Sequence, residues 1–144
     1  MIFTYENIDE NNILKKFYQT KIEGTQIKKI FDKNHPLVNQ KGLFATKEWH
    51  QYDIIGEYTG KVVELPNHSD YLIAFANISY SACLDALDYG NEIRYINHYK
   101  NIKESPNCKF VSTYINLKPV ILVIITKHVK VNEEFLVDYC YNFS

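Results

Sequence analysis

The segment EIRYINH, which runs from Glu92 to His98, places an arginine, an asparagine and a histidine close together. The side chains of Asn97 and His98 contain both donors and acceptors of hydrogen bonds, and they are therefore able to hold a polar ligand. Their spacing matches neither a metal site nor a nucleophile with its general base. A single histidine in such a setting is more often a core residue with satisfied hydrogen bonds, so the segment alone leaves both interpretations open.

The rest of the sequence contains no motif for a metal or a nucleotide. The other histidines are scattered, without helical metal spacing, at His35, His50, His68 and His128. The cysteines are Cys83, Cys108 and Cys140. Their odd number and the lack of a C-x-x-C motif argue against a disulfide framework and against a structural zinc site. A dinucleotide-binding glycine motif, a P-loop and a nucleophile elbow are also missing from the sequence. We therefore expect no metal site and no covalent catalysis.

The elements that must position these side chains are predicted to be mostly short strands. Apolar residues cluster between turn signals at 25–31, 43–45, 54–58, 61–64, 71–75 and 135–141. Two further strands are predicted within 108–126, separated by a break near Pro119, and the run PVILVIIT is expected to be buried on both faces. Residues 11–20 have the spacing of a short helix, and EIRYINH that of one helical turn. The pattern predicts a mostly β domain with short helices.

The composition limits the classes of protein to which the chain can belong. A length of 144 residues predicts one domain, and 46% hydrophobic residues argue against disorder. Lys and Arg number 16 against 17 Asp and Glu, so there is no basic signature of a nucleic-acid partner. No apolar run is long enough to cross a membrane, and the N-terminus lacks the features of a signal peptide. Free cysteines favour a reducing, intracellular location, either nuclear or cytoplasmic.

Four segments together resemble the SET-domain family of protein lysine methyltransferases. They are KGLFA (41–45), GEYTG (56–60), GNEIRYINH with the following SPNC (90–108) and NEEFLVDYCY (132–141). Each is weak alone, but their order follows the family pattern over residues 40–141. The resemblance implies a SET fold of small β-sheets with a knot-like threaded C-terminal segment. It also implies the cofactor S-adenosylmethionine and a lysine that enters from the opposite face.

The resemblance assigns roles to individual residues and divides the chain into two parts. Residues 37–144 would form the SET domain and residues 1–36 an N-terminal flanking segment. Tyr139 matches the catalytic tyrosine, and Tyr58 matches a second tyrosine of the catalytic site and lysine channel. The implied cofactor-binding residues are Lys41, Gly42, Leu43, Tyr71, Arg94, Asn97 and His98, of which Arg94 is expected to support the site rather than touch substrate. The implied substrate channel consists of Tyr58, Phe110, Val137 and Tyr141. Without the motifs, each tyrosine would be read as an ordinary packing residue.

The sequence also departs from the family pattern. Gln40 stands where the family usually has a glycine, and the loop after His98 is longer than usual. The family's cysteine-rich, zinc-binding tail after the last strand is not present, so we expect part of the channel wall to come from elsewhere, with a homodimer as one possibility. Val137 and Phe110 have no hydroxyl where the family places a restraining group, which predicts that di- or trimethylation is possible.

Two functions are compatible with these features. The first is a protein lysine methyltransferase whose substrate is a histone tail or another protein. The second is an inactive SET-like module that binds peptide or chromatin. Acidic residues near the motifs, among them Glu133 and Glu134, either favour a basic peptide or form a solvated acidic surface.

Overall fold

The computed structural model describes residues 22–59, 61–64, 72–74, 82–85 and 91–139. Strands are the main regular secondary structure in these ranges, as the sequence predicted. In chain order the strands are β1 Thr25–Lys29, β2 Lys41–Ala45, β3 Ile54–Glu57, β4 Lys61–Glu64, β5 Leu72–Ala74, β6 Ala82–Asp85, β7 Asn97–His98, β8 Cys108–Ile115, β9 Lys118–Ile125 and β10 Leu136–Val137. A 3₁₀ helix, Glu92–Tyr95, precedes β7. The helix predicted at 11–20 lies outside the described residues.

The described strands form four small sheets. Their orders are β1-β2, β10-β7, β3-β9-β8 and β4-β6-β5. All pairs are antiparallel except β7 with β10, which is parallel. β1 lies in the expected flanking segment and pairs along its whole length with β2. A mostly β fold of small sheets is therefore confirmed, and the threading of the last strand through a loop stays a prediction.

Strand β9 is the central strand of the sheet β3-β9-β8. Five of its residues, Val120 to Val123 and Ile125, are buried, which confirms the prediction of a strand covered on both faces. The break predicted near Pro119 lies two residues earlier in the chain. The chain reverses at Asn116 and Leu117, both of which have positive φ. Strand β3 pairs only with the end of β9 beyond Val120, so Pro119 can lack its N–H without breaking a ladder on that side.

The core fills the space between the sheets and the 3₁₀ helix. Its largest fully buried side chains are Phe135, Leu43, Ile93, Ile96, Ile121, Ile125 and Leu136. The Phe135 ring packs edge-on against Trp49 with ring centroids 5.8 Å apart. Full burial of side chains of this size stabilises the fold by roughly 1.5–3 kcal/mol each. Because Ile93 lies in the 3₁₀ helix and Ile96 follows its last residue, the core fixes the segment that leads into Asn97 and His98.

The last described segment is hydrogen-bonded on both sides. Leu136 and Val137 pair with Asn97 and His98 on one side. On the other side the Asn107 side chain accepts from Leu136 N at 2.8 Å and donates to Glu134 O at 2.9 Å. The segment Glu134–Val137 therefore lies between β7 on one side and Asn107, at the end of the loop that leads to β8, on the other.

Candidate active site

The 3₁₀ helix sets the position of Asn97 and His98. Asn91 caps it, since its Oδ1 accepts from Ile93 N at 3.2 Å while its Nδ2 donates to Glu57 O at 2.7 Å. This second bond ties the helix to the end of β3. Ile93 is fully buried beneath the turn. The predicted helical turn is thus confirmed, although it ends at Tyr95 and the Asn-His pair continues as a strand.

The parallel pairing of β7 with β10 places Tyr139 beside the Asn-His pair. The backbone N–H of Tyr139 donates to His98 Nδ1 at 3.1 Å, and its hydroxyl donates to the carbonyl oxygen of Ile96. Each end of the tyrosine is therefore held by the segment 96–98. The residue remains 53% exposed, although its hydroxyl lies in a partly buried hydrogen bond.

Four aromatic side chains follow one another across the site, and we call them the aromatic row: Tyr58, Phe110, Tyr139 and His98. Tyr58 meets Phe110 edge-on at 5.7 Å between ring centroids. The Phe110 and Tyr139 rings stack at 6.3 Å, and the Tyr139 and His98 rings at 5.6 Å. Such contacts fix ring orientation. The structure thus brings together the predicted catalytic tyrosines, a predicted channel residue and His98.

The amide of Asn97 has a defined orientation. Its Nδ2 donates to Lys41 O at 3.1 Å and to Glu134 Oε2 at 2.9 Å. Both partners are acceptors only, so the nitrogen of the amide must face them. Oδ1 is then the acceptor end, and it suits a ligand group that donates hydrogen bonds, such as an ammonium.

Gly42 is required where it stands. A Cβ at this position would lie 2.6 Å from Glu134 Oε2, because the carboxylate passes directly over the Gly42 backbone. No substitution with a side chain fits unless Glu134 moves. The start of β2 and the carboxylate therefore lie in contact, and Lys41, Gly42 and Asn97 form one corner of the site.

Glu134 and His35 are residues of the site that the sequence did not indicate. Glu134 is neither a peptide-facing charge nor part of a solvated surface, since its side chain is only 7% exposed. Its Oε1 lies 2.7 Å from His35 Nε2. The two residues are 99 positions apart, and no local pattern joins them. The motif NEEF, with two adjacent carboxylates before a buried strand, was the available signal for Glu134.

The other predicted site residues have different surroundings. The side chains of Leu43 and Val137 lie fully buried in the core, and Leu43 O accepts from Phe135 N at 2.9 Å. The Arg94 guanidinium lies 5.2 Å from the Tyr95 ring centroid. Tyr71 and Tyr141 lie outside the described residues. Because the side chains of Leu43 and Val137 are buried, these two residues can contact a ligand only through their backbone atoms, or can support other side chains that contact it.

Cys108 is expected to be chemically inert in the folded protein. It is fully buried, its thiol donates to Leu136 O at 3.2 Å, and burial raises the pKa of the thiol well above its ordinary value. Since the thiolate is the nucleophile, alkylation by iodoacetamide at pH 8 should be at least roughly a hundredfold slower in the native protein than in urea. Peptide mass spectrometry at timed intervals measures both rates. Equal rates would contradict the burial of this side chain.

The described residues contain neither a cluster of metal ligands nor a membrane-spanning helix. No group of three or more His, Cys, Asp or Glu side chains there is arranged to hold a metal ion. No helix in that part of the chain is long and apolar enough to cross a membrane.

Comparison with known proteins gives matches in sequence and in structure. The SET domain model matches residues 40–140. The chain is 27% identical over 146 residues to N-lysine methyltransferase KMT5A of Xenopus tropicalis, covering 91% of this chain and 40% of the relative. It is 28% identical over 136 residues to histone-lysine N-methyltransferase SETD1B of Homo sapiens, covering 88% of this chain and 6% of the relative. The chain thus spans less than half the length of these relatives.

The fold is also similar to that of a solved structure. A chain of the Chaetomium thermophilum polycomb repressive complex 2 superposes with a TM-score of 0.68 at 24% identity, over 85% of this chain and 16% of that one. The SET domain match covers most of the chain and contains all the strands from β2 to β10. The chain therefore belongs to the SET domain family.

Proposed function

We propose that this chain is an S-adenosylmethionine-dependent protein lysine N-methyltransferase whose substrate is a histone or another protein with an accessible lysine. The main support is the Tyr139 hydroxyl, which is held by the Ile96 carbonyl within the aromatic row, between Phe110 and His98. The names of the relatives KMT5A and SETD1B state lysine methyltransferase activity for those proteins. The family match suggests the reaction, and the position of this hydroxyl is compatible with it.

The residues around Asn97 fit the amino-acid end of the cofactor. When bound, S-adenosylmethionine supplies a methyl group on a positively charged sulfur. Asn97 Oδ1 would accept from its ammonium group, because both N–H groups of the amide are already used by Lys41 and Glu134. Gly42 allows the backbone at the start of β2 to approach closely. His98 stands next in the chain and would contribute backbone groups.

Tyr139 would orient the lysine amine. Its phenolic proton is directed at the Ile96 carbonyl. A hydroxyl oxygen that donates its proton in this way can also accept a hydrogen bond. An N–H of a neutral amine can donate to that oxygen, which points the nitrogen lone pair toward the methyl carbon. Methyl transfer is an in-line displacement, and alignment of the reacting atoms accounts for much of the rate.

The aromatic row would favour the neutral amine. A free lysine has a pKa of about 10.4. Tyr58 is only 6% exposed and Phe110 packs against the core, so the surface beside Tyr139 is largely apolar. Desolvation in such a place disfavours the ammonium form. Ring faces can still hold the cation before the proton is lost.

Radiolabelled methyl transfer tests the proposal. The chain is incubated with tritiated S-adenosylmethionine and a panel of histones and cell extract, and labelled proteins are separated and identified. Labelling of lysine supports the proposal. Retention of a histone peptide without any transfer would favour the alternative, an inactive SET-like module that binds peptide or chromatin.

The product is expected to include di- or trimethyl-lysine. Phe110 lies between Tyr58 and Tyr139 in the aromatic row and has no hydroxyl. A restraining water therefore lacks a phenolic partner at this position, and space remains for a methylated amine. Mass spectrometry of a substrate peptide over time should show gains of two or three methyl groups.

The variant Phe110→Tyr provides the comparison for this prediction. It restores a hydroxyl at the same ring position and should shift the product toward monomethyl-lysine. If the unaltered chain accumulates only monomethyl-lysine at long times, the role given to Phe110 is wrong.

A further inference from the structure

A line of polar contacts runs from the loop before β2 to Asn97. His35, in this loop, lies 2.7 Å through Nε2 from Glu134 Oε1, and Glu134 Oε2 accepts from Asn97 Nδ2 at 2.9 Å. The side chains of His35 and Glu134 are 10% and 7% exposed. The line thus connects a residue of the loop before β2 with the amide that we assign to the cofactor.

The backbone fixes which nitrogen of His35 has the proton. Leu37 N donates to His35 Nδ1 at 3.0 Å, so Nδ1 is an acceptor. The proton is therefore on Nε2, which donates it to Glu134. His35 acts as a neutral donor to one oxygen of a buried carboxylate, and Asn97 acts as a donor to the other.

The loop that contains His35 is closed by backbone hydrogen bonds and not by the contact between His35 and Glu134. Ile30 N donates to Gln40 O at 2.8 Å and Asn39 N donates to Ile30 O at 2.8 Å, so backbone bonds join the two ends of the loop. His35 and Asn97 are the side-chain donors to Glu134 in the part of the chain that the structure describes. We therefore expect the His35 imidazole to act on the position of the Glu134 carboxylate and not on the closure of the loop.

We propose that His35 is a positioning residue for the cofactor site, acting through Glu134 to fix the amide of Asn97. With His35 in place, Glu134 Oε2 stays over Gly42 and faces Asn97 Nδ2, so Asn97 Oδ1 faces the ligand. Without it, the carboxylate loses one of its two donors and turns, and the Asn97 amide keeps only the Lys41 carbonyl to hold its orientation. This inference rests on the proposed function, because it assigns Asn97 Oδ1 to the cofactor's ammonium.

Two substitutions of His35 test the roles of its two ring nitrogens separately. In His35→Asn the side-chain oxygen can replace Nδ1 as acceptor from Leu37 N, but the side chain is too short to reach Glu134. In His35→Gln the amide nitrogen can replace Nε2 as donor to Glu134. The matched control is His128→Asn, which alters an exposed imidazole 3.4 Å from the Glu48 carboxylate.

Calorimetry with S-adenosylhomocysteine gives the binding readout, and thermal unfolding gives the stability readout. We expect His35→Asn to raise Kd roughly tenfold, the size of a lost hydrogen bond to a charged group. His35→Gln and His128→Asn should stay within about threefold of the unaltered chain. In the background Asn97→Ala, His35→Asn should have no further effect on Kd, since coupled residues are not additive.

The outcomes distinguish the inference from the proposed function. If the unaltered chain binds no S-adenosylhomocysteine, the proposed cofactor is wrong and this inference with it. If it binds normally and His35→Asn binds equally well, His35 has no role at the site. If the effects of His35→Asn and Asn97→Ala add in full, or if Kd changes only in step with a lower Tm, the histidine is merely structural and the inference is overturned.

Discussion

Replacement of Tyr139 by phenylalanine is expected to lower the rate of methyl transfer by roughly a hundredfold or more, with little change in cofactor affinity or stability. The substitution removes one oxygen and keeps the ring. The stacking on His98 and Phe110 should therefore persist, as should the backbone bond from residue 139 to His98 Nδ1. The lost group is the oxygen that the Ile96 carbonyl holds in place. A lysine amine then has no acceptor to set the direction of its lone pair.

Single-turnover rates with saturating S-adenosylmethionine measure this effect, and calorimetry with S-adenosylhomocysteine measures cofactor affinity separately. Tyr52→Phe is the matched control, because Tyr52 is 78% exposed in the turn before β3. It should transfer methyl groups at the rate of the unaltered chain. A Tyr139→Phe rate within threefold of that value would remove Tyr139 from the mechanism.

The parts of the fold that sequence predicted well are those set by local patterns. The run from Pro119 to Ile125 is apolar throughout and rich in β-branched residues, which is typical of a strand covered on both faces. The segment around β10 shows the limit. Residues 135–141 were predicted as one strand. Of residues 135–139, which the structure describes, Leu136 and Val137 form the strand, because the available partner β7 is itself two residues long. The length of a strand depends on its neighbour, which the sequence of the strand does not contain.

The site was predictable where a motif gave several residues at once. The Asn-His pair, Tyr139, Tyr58 and Phe110 do come together in the structure. β7 pairs with β10, while β3 and β8 pair with the two sides of β9. His35 was not predictable, since it stands alone in a loop and its partner lies far along the chain. The sequence showed that Glu134 is an acidic residue but not that its side chain is buried. Burial depends on what the fold places over a residue.

Asn107 gives the largest expected effect on stability. The residue is 6% exposed, and its side chain takes the place of a neighbouring strand. Oδ1 accepts from Leu136 N at 2.8 Å and Nδ2 donates to Glu134 O at 2.9 Å. On the other side, β7 contributes only two residue pairs. Asn107→Ala leaves a buried N–H and a buried carbonyl without these partners, which should lower the free energy of unfolding by about 2–4 kcal/mol.

Urea denaturation followed by circular dichroism measures this loss, provided that the slope with denaturant is unchanged. Asn34→Ala is the control, because Asn34 is an exposed loop residue and should change stability by no more than about 0.5 kcal/mol. Asn107→Asp sharpens the test, since it keeps an acceptor for Leu136 N but has no N–H for Glu134 O and buries a charge. It should also destabilise the protein, and a loss below about 1 kcal/mol for both variants would mean that β7 and the core alone hold the segment with Tyr139.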